Sequence, residues 1–330
     1  MIELKDSELK SKEKKSFHFI FNEFMNKPLT RTVLPVVGLV VLIVLFTILT
    51  DGRLILPFNI ELLLSQTYML MIASTGVFLI MTMGCLDFSQ GSMLAIASIV
   101  VCYLSTYNLV LAIIGGIVTG AAIGAINGFF LVKRKIMSFI VTICTMFLFR
   151  GFCAYLTTNS PVYAVSNIST YHTMPIEMTL TVSILLLVFL LFHFTKLGSN
   201  LKAIGAGETG SRFAGIKVGK TKWLIYIASG AITGFAAFIN VINVGSVTST
   251  SGNMMETQIL IALVLGGLPI SGGAKVRFIN LIVGVLTYKI LSVGLVMIGL
   301  TTSMQQLIEG IVFLIVVALF SDRKSIQIIK

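Results

Sequence analysis

Apolar residues in this chain run on in long stretches almost free of charge, without the period of 3.6 of an amphipathic helix or the alternation of a half-buried strand. The runs cover 33–50, 62–83, 93–107, 109–132, 137–157, 177–195, 223–245, 257–268, 278–299 and 303–320. About 20 consecutive apolar residues cross a bilayer as a helix. The pattern therefore predicts an all-α polytopic membrane protein of about ten transmembrane helices. Two runs are short. The run 93–107 is one, and 257–268 is too brief to cross unless it borrows residues from Ser246 to Glu256. Broken or re-entrant helices are expected at both places.

Composition narrows this further. Of 330 residues, 56% are hydrophobic and 11% charged, against about 25% charged in a soluble globular domain. An ordinary soluble enzyme is excluded, and the polar segments are too short to fold as a second domain. The net charge of +11 would suggest nucleic acid in a soluble protein; here it reports orientation. With the first tail inside and sides alternating, the Lys and Arg number seven in 1–32, three in Lys133–Lys135, six in 196–222, two in 275–277 and three in 321–330, which is 21 of 24 on one side. The expected layout is a cytoplasmic tail over 1–32, a transmembrane domain over 33–320 and a cytoplasmic tail over 321–330, with both termini inside. Met1 to Arg31 is too long and polar for the basic region of a signal peptide.

The segment 196–222 is the longest polar stretch between runs, with six basic residues and Glu208 as its one acid. Connections of that length tend to be functional, and a docking surface for another protein is the expectation. Within it, Ala214-Gly-Ile-Lys-Val-Gly219-Lys220-Thr221 imitates a phosphate loop. That loop works only between a buried strand and a helix N-terminus, which two flanking membrane helices do not provide, so ATP hydrolysis is expected in a partner chain. There is also an internal echo. Gly84-Cys-Leu-Asp-Phe-Ser-Gln-Gly91 aligns without gaps to Gly266-Gly-Leu-Pro-Ile-Ser-Gly-Gly273 with four identities, each copy at the end of an apolar run, as in duplicated transporter halves.

Ionisable residues at membrane depth are Arg150, Lys289 and Glu309, with Asp87 at the mouth of the first glycine motif. Their burial requires partners or a water-filled path. Lys289 and Glu309 are placed to neutralise each other as a packing device. Asn127, Asn240 and Asn243 read as interhelical hydrogen-bonding amides. Trp223 stands where an interfacial anchor is expected. The cysteines Cys85, Cys102, Cys144 and Cys153 lack disulfide or zinc spacing and read as small hydrophobes. No nucleophile, base and orienter set and no metal-ligand cluster is present in the sequence, so no catalytic or metal residue is expected.

Several motifs in order over about 60–320 resemble the permease subunits of ribose-type ABC importers, the branch of ribose, galactose, rhamnose and autoinducer-2 systems. They are Gly84-Cys-Leu-Asp-Phe-Ser-Gln-Gly-Ser92, Gly124-Ala-Ile-Asn-Gly128, Phe139-Ile-Val-Thr-Ile-Cys-Thr-Met146 with Arg150-Gly151, Gly205-Ala-Gly-Glu208 with Ala214-Gly-Ile216, Val264-Leu-Gly-Gly267 with Ser271-Gly-Gly273, and Gln305-Gln306. The resemblance implies a multi-pass subunit of a bacterial cytoplasmic membrane that pairs with a second permease copy or paralogue. It also implies two cytoplasmic ABC ATPase subunits, carrying the ATP and Mg, and an extracytoplasmic substrate-binding protein that delivers a sugar or related solute. No cofactor on this chain and no nucleic acid is implied.

In that family the long cytoplasmic loop carries the coupling helix, which makes Gly207, Glu208, Arg212, Phe213, Ala214, Gly215 and Ile216 the candidates for ATPase contact. Family members usually carry two alanines where this chain has Gly210-Ser211, which lowers helix propensity by about 1 kcal/mol at the glycine. Gly84, Asp87, Ser89, Gly91, Asn127, Gly267, Ser271 and Gly273 are the candidate path or hinge positions. An ion-coupled secondary transporter, a permease of the same superfamily for nucleosides or branched-chain amino acids, and a purely structural membrane subunit remain open readings.

Overall fold

The computed structural model describes residues 30–320; the tails expected over 1–32 and 321–330 lie outside the described residues apart from the first residues of α1. Every apolar run becomes a helix. The helices are α1 (Thr30–Leu49), α2 (Pro57–Thr82), α3 (Gln90–Ser105), α4 (Leu109–Lys133), α5 (Ser138–Leu156) and α6 (Met174–Phe194). After α7 (Lys196–Ala206) and α8 (Glu208–Phe213) come α9 (Val218–Val244), α10 (Met255–Leu265), α11 (Phe278–Met297) and α12 (Thr302–Phe320). Six of them, α2, α4, α5, α6, α9 and α11, are long and apolar enough to cross a membrane by length and composition.

The two short runs stay short. At 1.5 Å per residue the 16 residues of α3 reach about 24 Å and the 11 of α10 about 16 Å, against a hydrocarbon core of about 30 Å. The run over 257–268 does not borrow helix from the residues before it. Ser246–Val247 instead form β2, paired antiparallel with β1 (Val162–Tyr163), and turns follow up to α10. This pairing ties the connection before α6 to the segment before α10.

α2 is the central strut. From Leu70 to Thr82 every residue is buried, which is what a helix apolar all round must do. α5 and α6 sit outside, with Phe147, Leu148 and Phe152 on one and Leu186, Leu187 and Leu190 on the other exposed.

The tightest interhelical packing joins α4 to α9 through small residues. Gly116 faces Gly234, Gly120 faces Gly230 and Gly124 faces the Tyr226 carbonyl; a Cβ at any of these three would meet backbone oxygen of α9. Gly128 lies against Trp223. Lipid tails are as apolar as leucine, so helices in a bilayer gain little from hydrophobicity and associate through close backbone packing. Asn240 adds a hydrogen bond to Ser98 Oγ at 3.2 Å.

The polar stretch 196–222, expected as a loop, is mostly helical. In α7 Leu197, Leu201 and Ile204 turn into the core, and Gly198 abuts the Phe192 carbonyl. The i, i+4, i+7 spacing of those three was present in the sequence but is obscured by the glycines around it. α7, α8, the Lys133–Lys135 turn and the 266–277 segment gather at one end of the bundle, here termed the basic end. The β1–β2 pair marks the other.

Candidate functional site

Both glycine motifs cap a helix. After α2, Gly84 has φ +72° and Cys85 N–H donates to the Ile80 carbonyl at 3.3 Å. After α10, Gly267 has φ +83° and Leu268 N–H donates to the Leu263 carbonyl at 3.1 Å. Each is a left-handed glycine closing the helix with a bond back across its last turn. The cap equates Gly84 with Gly267, one place from the ungapped alignment to Gly266. The copies then diverge, because the first enters α3 at Gln90 while the second runs through turns to Phe278.

The two motifs meet at the basic end. Gly273 N–H donates to the Thr82 carbonyl at 3.0 Å, and Gly84 faces the Ser271 carbonyl, which would lie 2.8 Å from a Cβ. Gly205 of α7 is wedged between the Thr82 carbonyl and the Gly273 amide. Gly84, Ser271 and Gly273 are thus brought together, with the element leading into α8 packed onto them.

Asp87 and Ser89 belong to a polar knot at the start of α3. The Asp87 carboxylate accepts from Ser89 N–H at 2.8 Å, Ser89 Oγ at 2.6 Å and Gln90 Nε2 at 2.7 Å. Asn127 Nδ2 of α4 donates to Ser89 Oγ at 2.8 Å, and Thr233 Oγ1 of α9 donates to Gln90 Oε1. Asp87, Ser89, Gln90 and Asn127 are all buried. Three helices are therefore tied to one carboxylate. Gln90 and Thr233 were not candidates in the sequence.

Gly91 lies deeper, where its Cα faces the Gly252 carbonyl and Glu256 Oε2. Arg150 of α5 spans this point. Its Nη1 donates to the Ser251 carbonyl at 3.3 Å, its Nη2 to the Gly252 carbonyl at 3.1 Å, and Nη2 is 3.6 Å from Glu256 Oε2. The intramembrane charges thus separate. Arg150 is paired with Glu256, a partner the sequence did not suggest. Glu309 accepts from Tyr288 Oη at 3.2 Å, and no ion pair within 4.0 Å joins it to Lys289 among the described residues. Lys289 is still near enough for the two charges to act on each other, while the direct hydrogen bond to the carboxylate comes from its neighbour on α11.

At the basic end, α8 is helical despite Gly210-Ser211; the buried Ser211 donates both its N–H, at 3.0 Å, and its Oγ, at 2.9 Å, to the Gly207 carbonyl. Glu208 pairs with Lys222 of α9 and, at 3.7 Å, with Arg212. Gly215, at φ +81°, turns the chain so that Ile216 N–H bonds back to the Ser211 carbonyl. Arg212, Phe213, Ala214 and Gly215 are exposed, Phe213 by 88%, whereas Ile216 turns inward onto the core. Val218 to Thr221 form the first turn of α9 and follow a helix, so the phosphate-loop look-alike has no strand before it. All four cysteines are free thiols.

Known proteins with related sequences have been identified. The family described as branched-chain amino acid transport system / permease component matches residues 59–317. The ribose import permease protein of Escherichia coli (strain K12) is 31% identical over 271 residues, 78% of this chain and 84% of that protein. The ribose import permease protein of Bacillus subtilis (strain 168) is 31% identical over 301 residues, 88% of this chain and 92% of that protein. The L-arabinose ABC transporter permease protein of Azospirillum brasilense is 30% identical over 301 residues, with 86% and 87% covered. No solved structure matches at a significant level. The family match spans both glycine motifs, the polar knot and α7–α8, and the resemblance read from those motifs is borne out: the chain belongs to the family of binding-protein-dependent permease components, multi-pass ABC importer subunits of the bacterial inner membrane.

Proposed function

We propose that this chain forms the translocation path for a sugar or related polyhydroxylated solute, working with a second permease, two cytoplasmic ATPase subunits that hold ATP and Mg, and an extracytoplasmic binding protein. The printed substrates of its relatives, ribose and L-arabinose, support the solute class. The ten helices outside α7 and α8 are read as ten crossings, α3 and α10 being broken ones, with both termini cytoplasmic. The basic turns gathered beside α7 and α8 support that orientation.

The observation that carries the coupling role is the position of α7–α8. Gly205 is lodged between Thr82 and Gly273, and eight residues later, at the end of α8, Phe213 stands almost fully exposed beside Arg212 and Ala214. An ATPase gripping Phe213 moves α8 as a lever. Because α7 contacts the junction of the two glycine motifs through backbone atoms, which cannot yield, the displacement passes to the ends of α2 and α10. Packed helices with two stable arrangements then open the path alternately to each side. The chain supplies no chemistry to the solute. Gly84, Ser271 and Gly273 act as hinge contacts, and Asp87, Ser89 and Asn127 hold α3 and α4 together while the helix ends shift.

The test is Phe213→Asp in the assembled transporter. ATPase subunits fail to co-purify and uptake is lost, while the permease keeps its thermal stability, since the side chain has no packing to lose. Uptake that survives in this variant and collapses instead with an ionophore overturns the reading in favour of ion coupling.

A further inference from the structure

At the end of the bundle opposite α8, a cavity of about 270 Å³ lies between the start of α2 and the start of α6, lined by Phe58, Glu61, Ser65, Tyr68, His172 and Glu177 among others. Its hydrogen-bonding groups are out of balance. Glu177 is 1% exposed, and its Oε2 is buried with no partner. Its Oε1 lies 2.7 Å from His172 Nδ1, and Asn243 Oδ1 competes for the same nitrogen at 2.9 Å. One ring nitrogen carries one proton, so two acceptors share a single donor. The Asn243 amide donates the other way, to the Ser65 carbonyl at 3.5 Å, and the Ser65 hydroxyl is used by the Leu62 carbonyl at 2.9 Å. Glu61 stands exposed at the rim and has no ion-pair partner among the described residues.

A buried acceptor without a donor is costly, and a cavity with two carboxylates, where the Ser65 hydroxyl and the His172 Nδ1 proton are already engaged and the Tyr68 hydroxyl is the neutral donor left in the lining, is built for a guest that brings donors and positive charge. We propose that this cavity receives the ammonium of a lysine or the guanidinium of an arginine from the extracytoplasmic binding protein, with Glu177 Oε2 and Glu61 as its counter-charges. The proposal rests on the importer reading above, which places this end outside the cell.

Three observations favour a protein side chain over a dissolved ion. Phe58, exposed by 75%, stands at the rim with Ile55 and Leu56 exposed beside it, which is the apolar surround of a docking contact and offers a ring face to a cation. The charge around this end is acidic, with Asp51, Glu61 and Glu177 against Arg53, while the opposite end is basic; complementary charge steers a partner and fixes its register. Among the described residues no trio of His, Cys, Asp or Glu is placed to hold a metal.

The experiment uses the complete permease–ATPase complex in lipid nanodiscs with its own binding protein, and reads the affinity between them. Glu61→Gln with Glu177→Gln weakens binding about tenfold or more, and the loss shrinks as salt is raised. Glu61→Gln alone, at an exposed position that does not threaten folding, gives part of the loss. Asp51→Asn removes the same charge outside the cavity and costs clearly less affinity than Glu61→Gln, because it contributes only to steering; an equal loss overturns the assignment to the cavity. Exchange of one basic residue on the binding protein for Glu restores binding to the Glu61→Lys variant. Unchanged affinity in the double variant overturns the proposal. So does binding of sodium, calcium or methylguanidinium to the isolated complex that the double variant abolishes without affecting the binding protein. Failure of the importer reading is distinct, because the wild-type complex itself then shows no binding-protein affinity.

Discussion

Gly273 donates its amide hydrogen to the Thr82 carbonyl at 3.0 Å, which joins the end of α2 to the turn after α10. Gly205 touches both partners of that bond. Replacing Gly205 by Val drives a side chain into the backbone of both facing elements, at Thr82 and Gly273, and overpacking of this kind costs about 1–3 kcal/mol. The expected outcome is a transporter that still hydrolyses ATP but takes up little solute, measured as the ratio of uptake to ATPase rate. Gly210→Ala provides the contrast. Nothing lies within 4 Å of a Cβ there, so the change raises the helix propensity of α8 by about 1 kcal/mol and leaves coupling intact. Normal coupling in Gly205→Val would show that the junction does not transmit motion.

The glycine seam of α4 and α9 predicts a steric failure of a different kind. Gly120→Leu places a branched side chain where the Gly230 carbonyl lies, and Gly230→Leu does the same from the other side. Either variant separates the helices along their length and lowers the melting temperature in detergent by several degrees. Gly151→Leu on α5, with nothing within 4 Å of a Cβ, leaves it unchanged. Equal melting temperatures for all three would mean that close backbone approach does not hold α4 to α9.

Much of this arrangement was legible in the sequence for a physical reason. Apolar runs report burial in an apolar medium directly, so all ten became helices at nearly the expected places, and the two short runs became the two shortest of those ten. The Gly84 and Gly273 motifs were legible because tight helix ends demand glycine. Their register was not, since equating Gly84 with Gly267 depends on cap geometry that an ungapped alignment ignores. The four-residue spacing from Gly116 to Gly128 was present but dilute among 29 glycines, and only the facing helix gives it meaning. The partner of Arg150 was invisible because Glu256 is more than a hundred residues away, and the pairing arises from the fold over 246–254. Lys289 is an intermediate case: counting residues along two helices placed it near Glu309, and the two charges do act on each other, but the rotation of α11 gives the direct hydrogen bond to Tyr288.

Asp87 accepts three hydrogen bonds in a buried site, and the way they fail can be separated. Asp87→Asn keeps an acceptor for Ser89 but turns an amide donor toward Gln90 Nε2, leaving donor against donor. Asp87→Leu removes every acceptor and orphans Ser89 N–H and Gln90 Nε2. Each unsatisfied buried group costs about 1–3 kcal/mol, so stability falls in the order wild type, Asn, Leu. Denaturant or thermal unfolding in detergent reads the order. Equal stability of Leu and Asn would mean that the carboxylate does not organise the knot.

Arg150 holds the segment before α10 in place from a distance. Its guanidinium spans the Ser251 and Gly252 carbonyls, two acceptors that a single fork of donors reaches together, and lies 3.6 Å from the Glu256 carboxylate as a counter-charge. Arg150→Ala frees both carbonyls and leaves Glu256, which is 7% exposed, without its counter-charge; removing one partner of a buried pair costs about 3–5 kcal/mol. The amides of 246–254 therefore exchange hydrogen faster in Arg150→Ala, while those of α4 and α9 do not. Adding Glu256→Gln removes the uncompensated charge but not the lost carbonyl contacts. The double variant should thus recover stability in unfolding while its 246–254 exchange stays fast. Arg150→Lys, a point donor that cannot span the two carbonyls, falls between. If exchange over 246–254 is the same in all four proteins, the segment is held by the β1–β2 pairing alone and the arginine serves only to neutralise Glu256.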